Sequence, residues 1–214
     1  MARPILSSVL AAAIFWGTAI LFAQEQAPAP SFKEGDTWQF NTIPKGLPGK
    51  STDQNEGIYE LTVTQGVVKI YDVNGGQKNE RSVQPDGPTQ ILLTLVGKSD
   101  KQQDLKFPLS VGQKWTYKYE TRLLGDKFNQ RQRRSAEVNV VGMEQVTTPA
   151  GSFKAYKLIK NESASSGSLV GGTSNVTTTY FYSPETRSIV KSYRVVDNNP
   201  GTVETELIKF TPGN

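Results

Sequence analysis

From residue 58 onward the chain alternates between apolar and polar positions with a period of two, and that rhythm predicts strands. Tyr59, Leu61 and Val63 fall on one face while Glu60, Thr62 and Thr64 fall on the other. A strand patterned in this way has one dry side and one wet side. It reads as Ile58–Thr64, followed by Val67–Asp72, with Gln65-Gly66 between them; glycine there takes the positive φ that a tight hairpin needs. Asn74-Gly75-Gly76 then turns the chain again.

The second half repeats the rhythm more strongly. Trp115, Tyr117 and Tyr119 alternate with Thr116, Lys118 and Glu120. Further strands are expected at Ala136–Val146, Phe153–Lys160, Val176–Tyr182, Ser188–Val196 and Val203–Phe210, with Pro184-Glu185-Thr186 as the turn between two of them. Two stretches read as loose: Thr42–Glu56, rich in proline and glycine, and Asn161–Ser174, rich in serine and glycine, the latter as a hairpin tip. The pattern is that of an all-β, antiparallel domain, either a sandwich or a curved half-barrel.

Phe32-Lys-Glu-Gly35-Asp-Thr-Trp38-Gln-Phe40 is echoed by Leu109-Ser-Val-Gly112-Gln-Lys-Trp115-Thr-Tyr117. In both, a turn glycine feeds a strand whose tryptophan and next-but-one aromatic point into one core face. The echo divides the mature region into two candidate halves, 32–100 and 105–214; the alternative is two strands that simply begin alike.

One segment departs from the β rhythm. Ile5–Ala23 is continuously apolar, follows a lone Arg3 and ends in a small residue, with the polar stretch 24–31 behind it. This is the layout of a signal peptide, read as an N-terminal helix over 1–23 with cleavage after Ala23. The run is also long enough for an uncleaved anchor. Either way the chain is read as exported, to the periplasm or outside a bacterial cell. The leader ends without a cysteine, which removes lipid attachment in the manner of bacterial lipoproteins.

The leader leaves about 190 residues, enough for one sizeable core. The whole chain has no cysteine and no histidine. Its stability therefore rests on packing rather than disulfides, and thiol nucleophiles, iron–sulfur clusters and cysteine-ligated zinc are excluded. Lys and Arg number 24 against 20 Asp and Glu, a net charge of +4. That is too mild for a nucleic-acid binder, which gathers far more positive charge on one face.

The remaining acid–base candidates are carboxylates, lysines and tyrosines. No acidic residue stands in a telling context: Glu34 and Asp36 flank a turn glycine, Asp72 ends a strand and Glu185 lies in a turn. Asp72-Val-Asn74-Gly-Gly76 lacks the ligands of a calcium loop and reads as a turn. No nucleophile elbow or phosphate loop is present, so no catalytic residue, metal or cofactor is assigned. Two features are candidates for binding. Trp115, Tyr117, Tyr180 and Tyr182 either fill a core or line an apolar pocket. The basic stretch with Lys127, Arg131, Arg133 and Arg134 either meets an acidic partner or guards a sheet edge.

Three segments together resemble a known group: Phe107-Pro-Leu-Ser-Val-Gly112-Gln-Lys-Trp115-Thr-Tyr117, then Val146-Thr-Thr-Pro149-Ala-Gly151-Ser-Phe153-Lys-Ala-Tyr156, then Tyr180-Phe-Tyr-Ser183-Pro-Glu185-Thr-Arg187-Ser-Ile-Val190-Lys-Ser. In this order, over roughly 105–195, they resemble exported bacterial β-proteins of unknown function that include the TapB-like proteins. The resemblance implies an envelope or secreted location, an antiparallel architecture and a link to surface assemblies such as pili. It brings no catalytic residues. The expected role is thus a non-catalytic binding or envelope-assembly accessory whose partner is an envelope or surface protein. The alternatives are a carrier or sensor of an apolar small molecule and, behind it, a carboxylate-dependent hydrolase.

Overall fold

The computed structural model describes residues 25–45, 57–80, 103–122, 131–166, 173–197 and 201–214. The leader, Lys127 and the centres of the two stretches read as loose lie outside them. Among the described residues there are only strands, turns and irregular segments, and no helix long and apolar enough to cross a membrane.

Twelve strands form in chain order: β1 Gln26–Ala27, β2 Thr37–Lys45, β3 Gly57–Thr64, β4 Val67–Asn74, β5 Gln77–Glu80, β6 Leu109–Ser110, β7 Lys114–Arg122, β8 Arg131–Thr148, β9 Gly151–Ser166, β10 Thr173–Ser183, β11 Ser188–Val196 and β12 Thr202–Thr211. Ten of them make one antiparallel sheet in the order β5-β4-β3-β2-β12-β11-β10-β9-β8-β7, while β1 and β6 pair separately. Every pairing in the large sheet is antiparallel, and there all but β2–β12 join chain neighbours.

The sheet is not flat. Bulges interrupt the pairing at Val140/Gly142, at Phe181/Tyr182 and at Leu207/Lys209, in one band across the sheet. A bulge bends its strand and increases local twist. Beyond the band the β8–β9 hairpin leans over the neighbouring strands, so that its tip reaches β12: the Ala150 N–H donates to the Leu207 carbonyl at 3.3 Å. The concave face gathers the core, including Trp38, Phe40, Leu61, Tyr117, Val138, Leu158, Tyr180, Tyr182 and Leu207. The segment 103–110, irregular as far as β6, is packed onto it through Asp104, Leu105 and Leu109, all buried.

The glycine–tryptophan echo is one local structure built twice. Gly35 and Gly112 have φ of 84° and 86°, a conformation that side chains with a Cβ resist. The Gly35 N–H donates to the Val63 carbonyl and the Val63 N–H to the Asp36 carbonyl; Gly112, Gln113 and Val140 repeat both bonds. In each case the tryptophan two or three residues on enters the core and its indole N–H finds a main-chain carbonyl: Trp38 on Thr186 at 2.7 Å, Trp115 on Gln103 at 2.6 Å. The first copy carries an extra lock. The buried Asp36 carboxylate accepts from Lys33 N–H, from Gly213 N–H and from the guanidinium of Arg187. Arg187 itself sits at φ 58° in the Pro184–Arg187 turn and lies over the Phe210 ring. The Tyr-Ser-Pro-Glu-Thr-Arg segment of the sequence is therefore a docking point for the start of β2.

Three sequence expectations need correction. Thr42–Lys45 belongs to β2 rather than to a loose segment, because β12 pairs it as far as Lys45. Asn161–Ser166 and Thr173–Ser174 are likewise strand, since β9 and β10 pair as far as Ser165 and Thr173. The wet face of β3 is not uniformly wet: Glu60 is buried there by Gln39, Lys78 and Thr62.

Candidate functional site

Cross-strand register decides which side chains meet on the concave face. Opposed residues share a face, so one inward row runs Tyr117–Ala136–Glu162–Val176 and the next runs Trp115–Val138–Lys160–Thr178. Strand β9 thus points Tyr156, Leu158, Lys160, Glu162 and Ala164 into the core, two of them charged. Burying those charges is costly unless each finds partners.

The partners form one network. Lys160 Nζ bridges Asp104 Oδ1 at 3.0 Å and Glu162 Oε2 at 2.8 Å. Asp104 also accepts from the hydroxyls of Tyr117 and Tyr180. Glu162 accepts from the Tyr119 hydroxyl at 2.7 Å and from Arg134 Nη1 at 2.6 Å. Asp104 is 0% exposed and Lys160 5%, so the cluster lies beneath the surface. Two carboxylates are balanced by two cations, and three tyrosines complete the hydrogen bonding.

The electrostatics follow from this geometry. Burial pushes Glu162 up, but the Lys160 ammonium, the Tyr119 hydroxyl and Arg134 outweigh it and hold the carboxyl below the ordinary glutamate range. Burial pulls Lys160 down, and the surrounding Tyr180, Asp104 and Glu162 reverse that, leaving it above the ordinary lysine range. Tyr119 is raised, chiefly by burial and further by Glu162. A depressed carboxylate contributes stability above its unfolded value, near 4.5, and loses it as pH falls through the folded value. Glu60 and Glu204 are lowered in the same sense, burial being outweighed by hydrogen bonds from Gln39 and Lys78 in one and from Lys191 and Lys45 in the other. Stability measured by urea denaturation should therefore be level near neutrality and fall below about pH 4.5, with Glu162→Gln shallowing the slope.

The four aromatics singled out from sequence, Trp115, Tyr117, Tyr180 and Tyr182, are all buried on this face. Tyr117 stacks on Tyr119 with centroids 5.8 Å apart, and Tyr182 meets Phe107 of the packed segment edge-on at 5.2 Å. They come together with one another but face the protein's own residues. The basic stretch is divided by strand alternation. Arg131 opens β8, Arg133 points outward and pairs with Glu120 at 3.2 Å, and Arg134 turns inward to Glu162.

Asp104, Lys160 and Glu162 were not marked by the sequence reading. The available signal was the unbroken inward alternation from Tyr156 to Ala164. Asp104 had no such signal, since it lies outside any strand.

On the opposite face, Thr116, Ser135, Glu137, Asn161, Ser163 and Thr177 line a shallow trough of hydroxyls with one amide and one carboxylate. At one end of the sheet, among the described residues, β7 is an edge strand with β8 as its one partner. Val140 N–H bonds to the Gln113 carbonyl. By antiparallel alternation, Gln113, Trp115, Tyr117 and Tyr119 aim their main-chain groups at β8, and Thr116, Lys118 and Glu120 aim theirs away. The other edge, β5, is four residues long and exposed throughout.

No family model matches the chain, and no curated protein matches it. Among solved structures it is similar to a candidate lipoprotein of Parabacteroides distasonis, at 15% identity and a TM-score of 0.49, over 88% of this chain and 100% of that one. It is similar to a candidate exported protein of Bacteroides fragilis with a YmcC-like fold, at 16% identity and a TM-score of 0.47, over 86% of this chain and 99% of that one. A further similarity, at 10% identity and a TM-score of 0.39, is to the hypothetical lipoprotein YmcC of Escherichia coli, over 83% of this chain and 85% of that one.

Proposed function

We propose that this is an exported β-rich accessory protein of the bacterial envelope, acting by binding another protein through the free edge of β7. Among the described residues no strand lies beyond β7 in the ten-stranded sheet, and that edge carries this reading. An edge strand presents unpaired N–H and C=O groups, and a partner that adds a strand there gains a ladder of main-chain hydrogen bonds. The outward side chains Lys114, Thr116, Lys118 and Glu120 are exposed. Lysines on an edge discourage indiscriminate pairing; a true partner strand offsets them with acidic residues opposite Lys114 and Lys118. Export rests on the leader at 1–23, and the TapB-like resemblance points to surface assemblies.

Catalysis finds less support. The buried carboxylates Asp104 and Glu162 are bridged by Lys160 and engaged by their own donors.

Lys118→Pro tests the reading. Lys118 N–H points away from β8, so proline there removes an outward donor without removing a β7–β8 bond. A photo-crosslinker carried at Thr116 should trap an envelope protein in the producing cell, with the crosslink mapped to β7. Lys118→Pro should abolish the adduct while leaving the circular dichroism spectrum and melting temperature nearly unchanged. Adducts that persist in the folded Lys118→Pro variant would overturn edge binding.

A further inference from the structure

The network around Asp104 has a feature that the edge-binding role does not use. Tyr117, Lys160 and Tyr180 come from three different strands, β7, β9 and β10, and their donors converge on one carboxylate. That carboxylate is not part of the sheet; it is carried by the segment laid over it. Behind Asp104 the segment continues with Leu105, Phe107 and Leu109, which lie in or against the core, while Lys106 and Pro108 face outward. In shape and chemistry this is an anionic head followed by an apolar tail. A core that only needed filling gains little from buried ions, since well-packed apolar residues in their place are often as stable or more so.

We propose that the concave face is a binding site for an anionic single-chain amphiphile of the fatty-acid type, and that Asp104–Leu109 occupies it as a built-in stand-in for that ligand. With the segment withdrawn, the sheet presents Lys160 and Arg134 against Glu162, a net positive charge, together with the hydroxyls of Tyr117 and Tyr180. The ligand carboxylate takes the place of the Asp104 carboxylate on these donors. Its chain takes the place of Leu105 and Phe107 against Tyr182. Three attachments besides the Asp104 contacts hold the segment down and have to release: the hydrogen bond from the Trp115 indole to the Gln103 carbonyl, the Gln113 amide, which donates to the Lys106 carbonyl and accepts from the Ser110 N–H, and the short β1–β6 pairing of Ala27 with Leu109. Apparent affinity is the intrinsic affinity reduced by the fraction of molecules with the segment withdrawn, so weakening its anchor strengthens binding.

The test uses the mature chain and a dansyl-labelled fatty acid, with its methyl ester as the uncharged control. The acid should bind with a rise in dansyl emission and a change in Trp115 fluorescence as the indole loses Gln103. The ester should bind at least about tenfold more weakly, and Asp104→Asn should tighten binding of the acid by about tenfold or more. Asp104→Asn keeps a side chain of the same shape and leaves Lys160 paired with Glu162. No binding of the acid to either protein, equal affinity for acid and ester, or an unchanged affinity in Asp104→Asn would each overturn the proposal. If that variant does not fold, acid against ester on the unaltered chain decides the question by the same criterion. These outcomes are independent of the β7 crosslink, so either proposal can fail alone.

Discussion

Lys160→Met should cost about 3–5 kcal/mol, among the largest losses of any single substitution in this chain. The lysine stands between two buried carboxylates, at 3.0 Å from one and 2.8 Å from the other. Methionine matches its volume, so little of the cost is lost packing. What remains is Asp104 and Glu162 in one dry pocket, with Arg134 shared between Glu162 and Gln132. Two like charges left so close favour uptake of a proton. The loss should therefore be greatest near neutral pH and shrink as pH falls. Adding Asp104→Asn to Lys160→Met should recover part of the stability, because the second change removes one of the two like charges that the first no longer separates. Urea denaturation of the two variants at pH 7 and pH 5 measures both effects. A loss below about 1 kcal/mol, unchanged with pH, would show that water already reaches the cluster.

Trp38→Ala should be of similar size, about 3–5 kcal/mol, with melting lowered by on the order of 10 °C. Trp38 is 2% exposed. Its ring stacks on Phe210 at 5.8 Å and meets Phe32 edge-on at 5.6 Å. Its indole also grips Thr186, so the alanine variant opens a cavity at the point where β2, β12 and the Pro184–Arg187 turn join. Trp38→Phe separates the contributions: it keeps most of the ring and loses the donor, leaving the Thr186 carbonyl unpaired, and should cost about 1–3 kcal/mol. Trp115→Ala, at the second copy of the same turn, should also fall at about 3–5 kcal/mol. Its ring lies near β7, a sheet edge, rather than at the junction of β2 with β12. A loss under about 1 kcal/mol at Trp38 would mean that the turn holds without it.

These two sites differ in how well the sequence announced them. Trp38 stood in a repeated motif, and the turn glycine, strand start and inward aromatic all follow from local chemistry. The hairpins at Gln65-Gly66 and Asn74-Gly75-Gly76 were legible for the same reason. Lys160 and Glu162 were hidden by a composition shift: serines and glycines downstream suggested that the strand had ended. In fact β9 carries its alternation to Ser166, held by β8 on one side and β10 on the other. Pro44 misled similarly. It is tolerated in β2 because the β2–β3 ladder stops at Thr42, leaving its side without a donor to satisfy. The run Arg131–Arg134 read as one patch, but alternation divides it between the two faces. Asp104 was beyond reach, since its burial depends on where an irregular segment lands after the sheet has curled.

The pairing of β2 with β12 has a consequence for when the molecule takes shape. The first strand of the large sheet finds its neighbour in the last, so that Trp38 opposes Phe210 and Asp36 holds Gly213. Meander hairpins such as β3–β4 or β8–β9 need only nearby residues, but this seam cannot form until Thr202–Thr211 is present. Folds that depend on such distant pairings assemble slowly, over milliseconds to seconds. Until then β2 can pair with β3 on one side, and the two arms of the sheet stay apart at the side that β12 will fill.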